Sequence, residues 1–300
     1  MAHWINRDYA GKMISKLEGA SAEELNRAWQ HCAIITRRHA GNFYYAFIFM
    51  PAEKRRAIQA LYAFCRIGDD AVDEAQGDPR KIIELLRYKL DLCYNGRYID
   101  ELTLALSHAI KQYAFEKKHF EELLLGIEMD LSVNRYQTFD ELRVYCYRVA
   151  STVGLLCLKI FDCDTENSRQ YAESLGIGMQ LTNILRDIRE DIDRDRIYIP
   201  LEDLERFGVK ESDLVNRVNN KDIKDLVNWE AERAGSFFTE AENCLTHGMR
   251  RKLYPAMIMG DIYREILNKI VADDKLEKRV ELTRKDKIKI ARRIITDGLR

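Results

Sequence analysis

The chain has 300 residues, of which 46% are hydrophobic and 32% charged, with only 15 Gly and 4 Pro. So few turn-forming residues exclude a turn-rich all-β fold. Lys and Arg number 48 against 49 Asp and Glu, and this balance argues against nucleic acid as a partner. We therefore expect a helical protein whose function depends on where its charges lie.

Seven cysteines, an odd number without CxxC spacing, predict reduced thiols in a cytoplasmic protein. The longest nearly unbroken apolar run, residues 43–50, is far shorter than the roughly 20 residues that span a bilayer. The N-terminus lacks the pattern of a signal peptide. We expect no transmembrane span, and a protein that is soluble or peripheral on the inner membrane face.

Helical periodicity runs through nearly the whole chain. Ser21–Glu24 and Thr138–Glu141 fit the capping box that begins a helix. The prolines, which suit a first turn, stand at or near the front of periodic segments: Pro51, Pro79, Pro200 and Pro255. The predicted helices cover residues 22–40, 51–73, 79–94, 99–112, 117–134, 139–162, 166–193, 200–207, 222–246, 254–272 and 284–297. No linker or repeat divides them, so we predict one all-α helical bundle over residues 1–300.

Two of these helices carry acidic residues four apart beside apolar residues. Asp69 and Asp73 share a face of the second predicted helix, and Asn183, Asp187 and Asp191 follow one face of the seventh over roughly 12 Å. Carboxylates at this spacing repel each other, so a cation should lie between them. Mg²⁺ prefers carboxylate and phosphate oxygens, and Mn²⁺ can substitute for it. The two rows therefore predict a metal and diphosphate site.

The two acidic rows have other interpretations besides a Mg²⁺ site. Either row alone is more often a solvated helix face, but two rows in apolar helices favour a site. A di-iron bundle needs two Glu-x-x-His motifs, and the chain has one, Glu116–His119. Neither a GxxxxGK[ST] nor a GxGxxG motif occurs, so basic side chains must hold the diphosphate. Arg66, Arg186 and Arg196 are the best placed to do so.

A wider pattern is carried by five stretches, residues 60–73 (ALYAFCRIGDDAVD), 145–154 (YCYRVASTVG), 180–191 (QLTNILRDIRED), 196–200 (RIYIP) and 261–267 (DIYREIL). Together they resemble the squalene/phytoene synthase family, and the resemblance covers about residues 32–290. One departure is visible where many members carry a basic residue between two hydroxyl residues and this chain has Ala40, Gly41 and Asn42. Diphosphate contacts from that loop are therefore not predicted.

The resemblance implies the class I isoprenoid synthase fold around a central apolar cavity, with prenyl diphosphates as substrates. The implied reaction is a head-to-head condensation through a cyclopropylcarbinyl diphosphate. Our first expectation is two farnesyl diphosphates giving presqualene diphosphate, squalene or dehydrosqualene, and the alternative is two geranylgeranyl diphosphates giving phytoene. The use of NADPH stays open. A class I terpene cyclase and a non-catalytic assembly factor of the same fold are further alternatives, and the assembly factor is disfavoured by the intact acidic rows.

The same resemblance implies roles for individual residues. The implied metal ligands are Asp69, Asp73, Asn183, Asp187 and Asp191. The implied neighbours of the diphosphates are Arg66, Tyr145, Tyr263 and Arg279, with Asp130 as a further pocket acid. Phe43 and Tyr62 are among the aromatic residues that can line the cavity and stabilise a carbocation.

The C-terminal segment, residues 284–300, holds seven basic and two acidic residues. This composition fits a solvated helix or one that contacts an anionic membrane surface. The sequence does not predict the oligomeric state.

Overall fold

The computed structural model describes residues 14–39, 41–73, 78–273 and 279–298, and only the backbone of 71–73 and 297–298. The elements are β1 (Ser15–Lys16), a 3₁₀ turn (Leu17–Gly19), α1 (Ala22–His39), α2 (Phe43–Phe47), α3 (Ala52–Asp73), α4 (Pro79–Tyr94), β2 (Arg97–Tyr98), α5 (Glu101–Tyr113), α6 (Lys117–Met129), α7 (Phe139–Cys146), a π-helical turn (Tyr147–Ser151), α8 (Thr152–Ile160), α9 (Glu166–Asp193), α10 (Leu201–Arg206), α11 (Glu211–Val215), α12 (Lys221–Cys244), α13 (His247–Ala272) and α14 (Arg284–Gly298).

The predicted all-α bundle is confirmed. Within the described residues the only sheet is the antiparallel pair of β1 and β2, with Ser15 opposite Tyr98. The predicted capping box forms in full at Ser21 and in part at Thr138, whose hydroxyl accepts from the Glu141 N–H at 3.4 Å while the Glu141 carboxylate accepts from the Gln137 N–H. Ser21 Oγ accepts a hydrogen bond from the Glu24 N–H at 3.2 Å, and the Glu24 carboxylate accepts one from the Ser21 N–H at 2.8 Å. These contacts satisfy N–H groups that a helix start leaves without a partner.

The structure corrects the prediction for Pro255. This proline lies inside α13, which begins at His247, and does not stand near the front of a helix. Proline cannot donate to the carbonyl four residues earlier, so a helix interior normally excludes it. Here Pro255 is buried in the core, and packing of α13 offsets the lost hydrogen bond. The five-residue helices α2 and α11 were also not predicted, because they are too short to show periodicity.

The long helix α9 is central to the architecture, since it contacts α7, α8, α12, α13 and the π-helical turn. The π-helical turn interrupts the single helix predicted over 139–162. It approaches α6 and α9 so closely that a Cβ on Gly126 would lie 2.7 Å from Arg148 Cβ, and one on Gly176 2.6 Å from Ser151 Cα. Glycine is therefore required where these helices meet. The C-terminal half of α9, which follows Gly176, carries the acidic row.

None of the helices in the described part of the chain combines the length and apolar character that crossing a bilayer requires.

Candidate active site

The acidic row of α9 occupies one half-buried face, as the sequence predicts. Asn183 Nδ2 donates to Gln180 Oε1 at 3.2 Å, whereas Asn183 Oδ1 is buried without a hydrogen-bond donor among the described residues. Burial, and then the charge of Asp187, raise the pKa of Asp191 to about 7. Buried oxygens that lack compensating donors are costly unless a cation or a proton neutralises them.

Asp187 is held by two guanidinium groups. Arg186 Nε and Nη2 donate to its two carboxylate oxygens at 2.8 and 2.6 Å, and Arg279 Nε and Nη2 donate to the same oxygens at 2.8 and 3.3 Å. The Arg186 side chain is 10% exposed, and that of Arg279 is 44% exposed. Burial lowers the pKa of Arg186, but its hydrogen bonds to Asp187 and to Tyr263 outweigh burial and raise it.

The second acidic row lies at the end of α3. Asp69 is exposed, and Asp73 is the last helical residue, with a side chain outside the described part. Arg66 forms an ion pair with Asp70, which is 2% exposed, and Arg66 Nε is buried without an acceptor among the described residues. Asp70 was not predicted as a functional residue, although its i,i+4 spacing from Arg66 signals the pair. It anchors a guanidinium beside the acidic row.

Tyr263 of α13 lies near residues that neighbour the two acidic rows, Tyr62 on α3 and Arg186 on α9. It lies close enough to Tyr62 of α3 to contribute to raising the Tyr62 pKa, an effect dominated by burial, and it also hydrogen-bonds with Arg186 of α9. The ring of Phe43 in α2 lies 5.7 Å from that of Tyr62. The structure thus places Phe43 of α2 beside Tyr62 of α3, and Tyr263 of α13 beside Arg186 of α9.

Asp130, the predicted pocket acid, accepts hydrogen bonds from two buried tyrosines. Tyr145 donates to Oδ2 at 3.1 Å and Tyr198 donates to Oδ1 at 2.7 Å. The rings of these tyrosines stack at 5.2 Å, and Tyr136 stacks on Tyr198 at 6.0 Å. Arg196 Nη2 donates to the backbone oxygen of Asp130 at 3.4 Å. Burial, and then the Asp130 charge, raise the pKa of Tyr145 well above its usual value, so its hydroxyl stays protonated.

Sequence reasoning missed Tyr136 and Tyr198 as members of this group. Their positions depend on a contact distant in sequence, in which the Ile197 N–H donates to the Asn134 carbonyl at 3.0 Å. Tyr198 stands in the RIYIP stretch, which was the available signal. In the loop that departs from the family, Asn42 forms no side-chain cap for α2, and Ala40 lies outside the described residues.

The oxygen atoms of the site fit a hard divalent cation. Asn183 Oδ1, Asp187 and Asp191 follow one helix face, and oxygen ligands of this kind suit Mg²⁺. Across the described ranges, no three His, Cys, Asp or Glu side chains already converge on a single point. A metal would therefore need additional ligands, which diphosphate oxygens and the α3 row can supply.

Comparison with known proteins agrees with this geometry. The family model for squalene/phytoene synthase matches residues 36–286. A 15-cis-phytoene synthase of Synechocystis sp. is 37% identical over 269 residues, covering 85% of this chain and 79% of that protein. Among solved structures, squalene synthase HpnC from Alicyclobacillus acidocaldarius has a TM-score of 0.79 at 27% identity, covering 86% of this chain and 98% of that one. A dehydrosqualene synthase in complex with ligand has a TM-score of 0.78 at 29% identity, covering 92% and 98%. The chain belongs to the squalene/phytoene synthase family of prenyltransferases, which condense prenyl diphosphates head to head.

Proposed function

We propose that this protein is a phytoene synthase that condenses two geranylgeranyl diphosphates. The observation that carries the proposal is the 37% identity, over most of both chains, to a protein named 15-cis-phytoene synthase. The two solved structures described above, named for a squalene synthase and a dehydrosqualene synthase, are less similar, at 27% and 29% identity. The proposal therefore adopts the alternative from the sequence analysis in place of farnesyl diphosphate, our first expectation.

The proposed reaction balances without a reductant. In the first step, one C20 diphosphate ionises and the alkene of the second attacks it, with loss of one proton and closure of a cyclopropane. In the second step, the remaining diphosphate leaves, the carbon skeleton rearranges, and loss of another proton gives the C40 alkene. Squalene would instead require a hydride donor such as NADPH. The proposed activity is therefore independent of NADPH.

The residues of the site support the ionisation step. In the proposal Asn183, Asp187 and Asp191 hold Mg²⁺ from α9, and Asp69 and Asp73 hold it from α3. When bound, Mg²⁺ neutralises the diphosphate and stabilises it as a leaving group.

Two arginines take up the charge that the metal leaves on the diphosphate. Arg186 is held by Asp187, and Arg66 is held by the buried Asp70. Because each guanidinium is already oriented, little side-chain entropy is lost when it binds a phosphate oxygen. The Tyr263 hydroxyl, which hydrogen-bonds with Arg186, helps to fix that orientation.

The aromatic residues protect the carbocation that follows. Phe43 and Tyr62 present aromatic faces, which stabilise a nearby cation by about 0.5–2 kcal/mol each. Tyr145 keeps its proton because burial and Asp130 raise its pKa, so it offers no phenolate that would capture the cation. Its donation to Asp130 also fixes the direction of its hydroxyl.

The C-terminal helix supports peripheral contact with an anionic membrane as part of this proposal. The exposed aromatic residues Tyr44 and Phe49, at 43% and 42%, belong to the segment that contacts α14 and α13. Lys287 of α14 lies 5.6 Å from the Tyr45 ring. Tyr45 is itself half-buried but adjoins the exposed Tyr44, and a basic helix packed near exposed aromatic residues is typical of surfaces that bind anionic lipid. Co-sedimentation with anionic vesicles and not with neutral ones is the expected result.

Product identification tests the proposed function. Purified protein is incubated with Mg²⁺ and labelled farnesyl or geranylgeranyl diphosphate, with and without NADPH, and products are identified by mass spectrometry after phosphatase treatment. We expect a C40 product from geranylgeranyl diphosphate without NADPH. A C30 product formed in preference would restore the squalene-type reaction, and no Mg²⁺-dependent product would favour the non-catalytic assembly factor.

A further inference from the structure

The two arginines on Asp187 use all of its capacity to accept hydrogen bonds. An ionised carboxylate offers about four lone-pair positions. Four N–H groups occupy them here, two from Arg186 and two from Arg279, at 2.6–3.3 Å. A cation can therefore coordinate Asp187 only if one guanidinium leaves. We call this arrangement of Arg186, Asp187 and Arg279 the arginine clamp.

The two arginines of the clamp differ in how easily they can leave. Arg186 is 10% exposed, adjoins Asp187 on α9 and hydrogen-bonds with Tyr263, so releasing it would leave a buried charge. Arg279 is 44% exposed and approaches from the segment before α14, 92 residues away in sequence. An ion pair of this exposure contributes little to stability and exchanges easily. Arg279 is therefore the exchangeable member of the clamp.

A cleft beside Arg279 offers space for its side chain when it leaves Asp187. Arg279 and Val280 line a cleft of about 270 Å³ together with Leu185, Arg186 and Ile270. Movement into this space needs no repacking of the core. Glu190, which also lines the cleft, forms a weaker ion pair with Arg279, with Oε1 at 3.9 Å from Nε.

We propose that Arg279 is a gate for the metal site, holding Asp187 closed to a divalent cation until a diphosphate supplies a replacement acceptor. The planar fork of arginine matches a phosphate as well as a carboxylate, so Arg279 can exchange one for the other. While both arginines hold Asp187, its carboxylate has no lone pair left for a cation, so a diphosphate must first draw Arg279 away. Metal and diphosphate therefore bind together, and each raises the affinity for the other. This inference rests on the metal assignment in the proposed function.

The proposal predicts an effect opposite in sign to that of a residue that only binds diphosphate. Without diphosphate, Arg279→Gln should bind Mn²⁺ about five- to tenfold more tightly than wild type, because Asp187 is uncovered. With inorganic pyrophosphate present, this advantage should disappear, since wild-type Arg279 has then left Asp187. Arg279→Lys, which keeps the charge but not the bidentate geometry, should fall between the two.

Titration of the full-length variants with Mn²⁺ by calorimetry or electron paramagnetic resonance, with and without pyrophosphate, provides the test. Arg284→Gln, which removes an exposed arginine five residues away, is the matched control and should bind Mn²⁺ as wild type does. Unchanged or weaker Mn²⁺ binding by Arg279→Gln without pyrophosphate would contradict the gating role of Arg279. It would not contradict the metal assignment. If wild type binds no Mn²⁺ even with pyrophosphate, both the gate and the metal assignment fail.

Discussion

The half-buried acids of the α9 row and a second, more deeply buried group of acids differ in what surrounds their oxygens. In the α9 row, Asn183 Oδ1 is buried without a donor among the described residues, and Asp187 is covered partly by the exposed Arg279. The second group, which we call the Asp203 cluster, consists of Asp203, Glu230, Arg233 and Trp229. There Arg233 donates to both acids at 2.7–3.2 Å, and Trp229 Nε1 donates to Asp203 at 3.1 Å.

Deep burial of acids does not by itself mark the site, since Asp203 and Glu230 are the more deeply buried, at 2% and 3% exposed. The two groups differ instead in the side chains that hydrogen-bond with their oxygens. The Asp203 cluster is satisfied by side chains packed within α10 and α12, and Arg233 also lies 4.3 Å from the Phe139 ring. In the α9 row, by contrast, Asn183 Oδ1 has no donor among the described residues, and one of the two guanidinium groups that hold Asp187 is exposed. The comparison indicates a structural role for the acids of the Asp203 cluster and supports the proposed binding role for the α9 row.

The largest expected effect comes from neutralising the α9 row. Asp191→Asn removes a carboxylate that we propose as a metal ligand, so product formation should fall by about 10²–10³-fold. The melting temperature should stay the same or rise, because a buried charge beside Asp187 has been removed. Steady-state assays and thermal unfolding of the same preparation measure the two effects. Near-normal turnover would mean that Asp191 holds no metal.

Breaking the Asp203 cluster should have the reverse outcome. Asp203→Asn leaves Arg233 without its charged partner in α10, and the free energy of unfolding should fall by about 3 kcal/mol. Turnover per folded molecule should stay within about twofold of wild type, because the hydrogen bonds and ion pairs of the cluster, within the described residues, include none of the α9 row. Denaturant unfolding together with activity at low temperature tests this. A large loss of turnover with unchanged stability would abolish the distinction between the two groups.

The smallest effect is a pH dependence within the Asp203 cluster. Burial, together with the nearby Asp203 charge and despite Arg233, raises the pKa of Glu230 from 4.5 to about 7. The stability that depends on this proton is complete below pH 4.5 and is lost as the pH rises through 7. Glutamine has no such proton. Relative to Glu230→Gln, the free energy of unfolding of the wild type should therefore fall by about 1–2 kcal/mol between pH 5 and 8.

Chemical denaturation of both proteins across this pH range provides the measurement. Parallel curves would show that the ion pair with Arg233 keeps Glu230 ionised in the folded protein.

Much of the site could be predicted because it is local in sequence. Residues 183, 187 and 191 share a face in any helix, and the fold only had to supply that helix. The clamp could not be predicted in the same way, because Arg279 reaches Asp187 from 92 residues away. Tyr198 likewise depends on the pairing of Ile197 with Asn134. Helical spacing determines which side chains share a face, whereas their partners depend on tertiary packing.

The fold shows the same limit. Capping and periodicity predicted most helices, yet α13 extends through Pro255, where local rules place a boundary. Tertiary burial of that helix overrides the local preference. Asp70 shows how this bears on the site, since its spacing from Arg66 was visible but only its burial identifies it as an anchor.

The central claim is that the α9 row holds a divalent cation together with a prenyl diphosphate. Crystals grown with Mn²⁺ and a non-ionisable thio analogue of geranylgeranyl diphosphate, measured for anomalous scattering, test it most directly. We predict Mn²⁺ peaks between α9 and α3, in contact with Asn183 Oδ1, Asp187 and Asp191, and Arg279 moved onto the diphosphate. Mn²⁺ bound elsewhere, or a diphosphate bound with no metal at this row, would contradict the account.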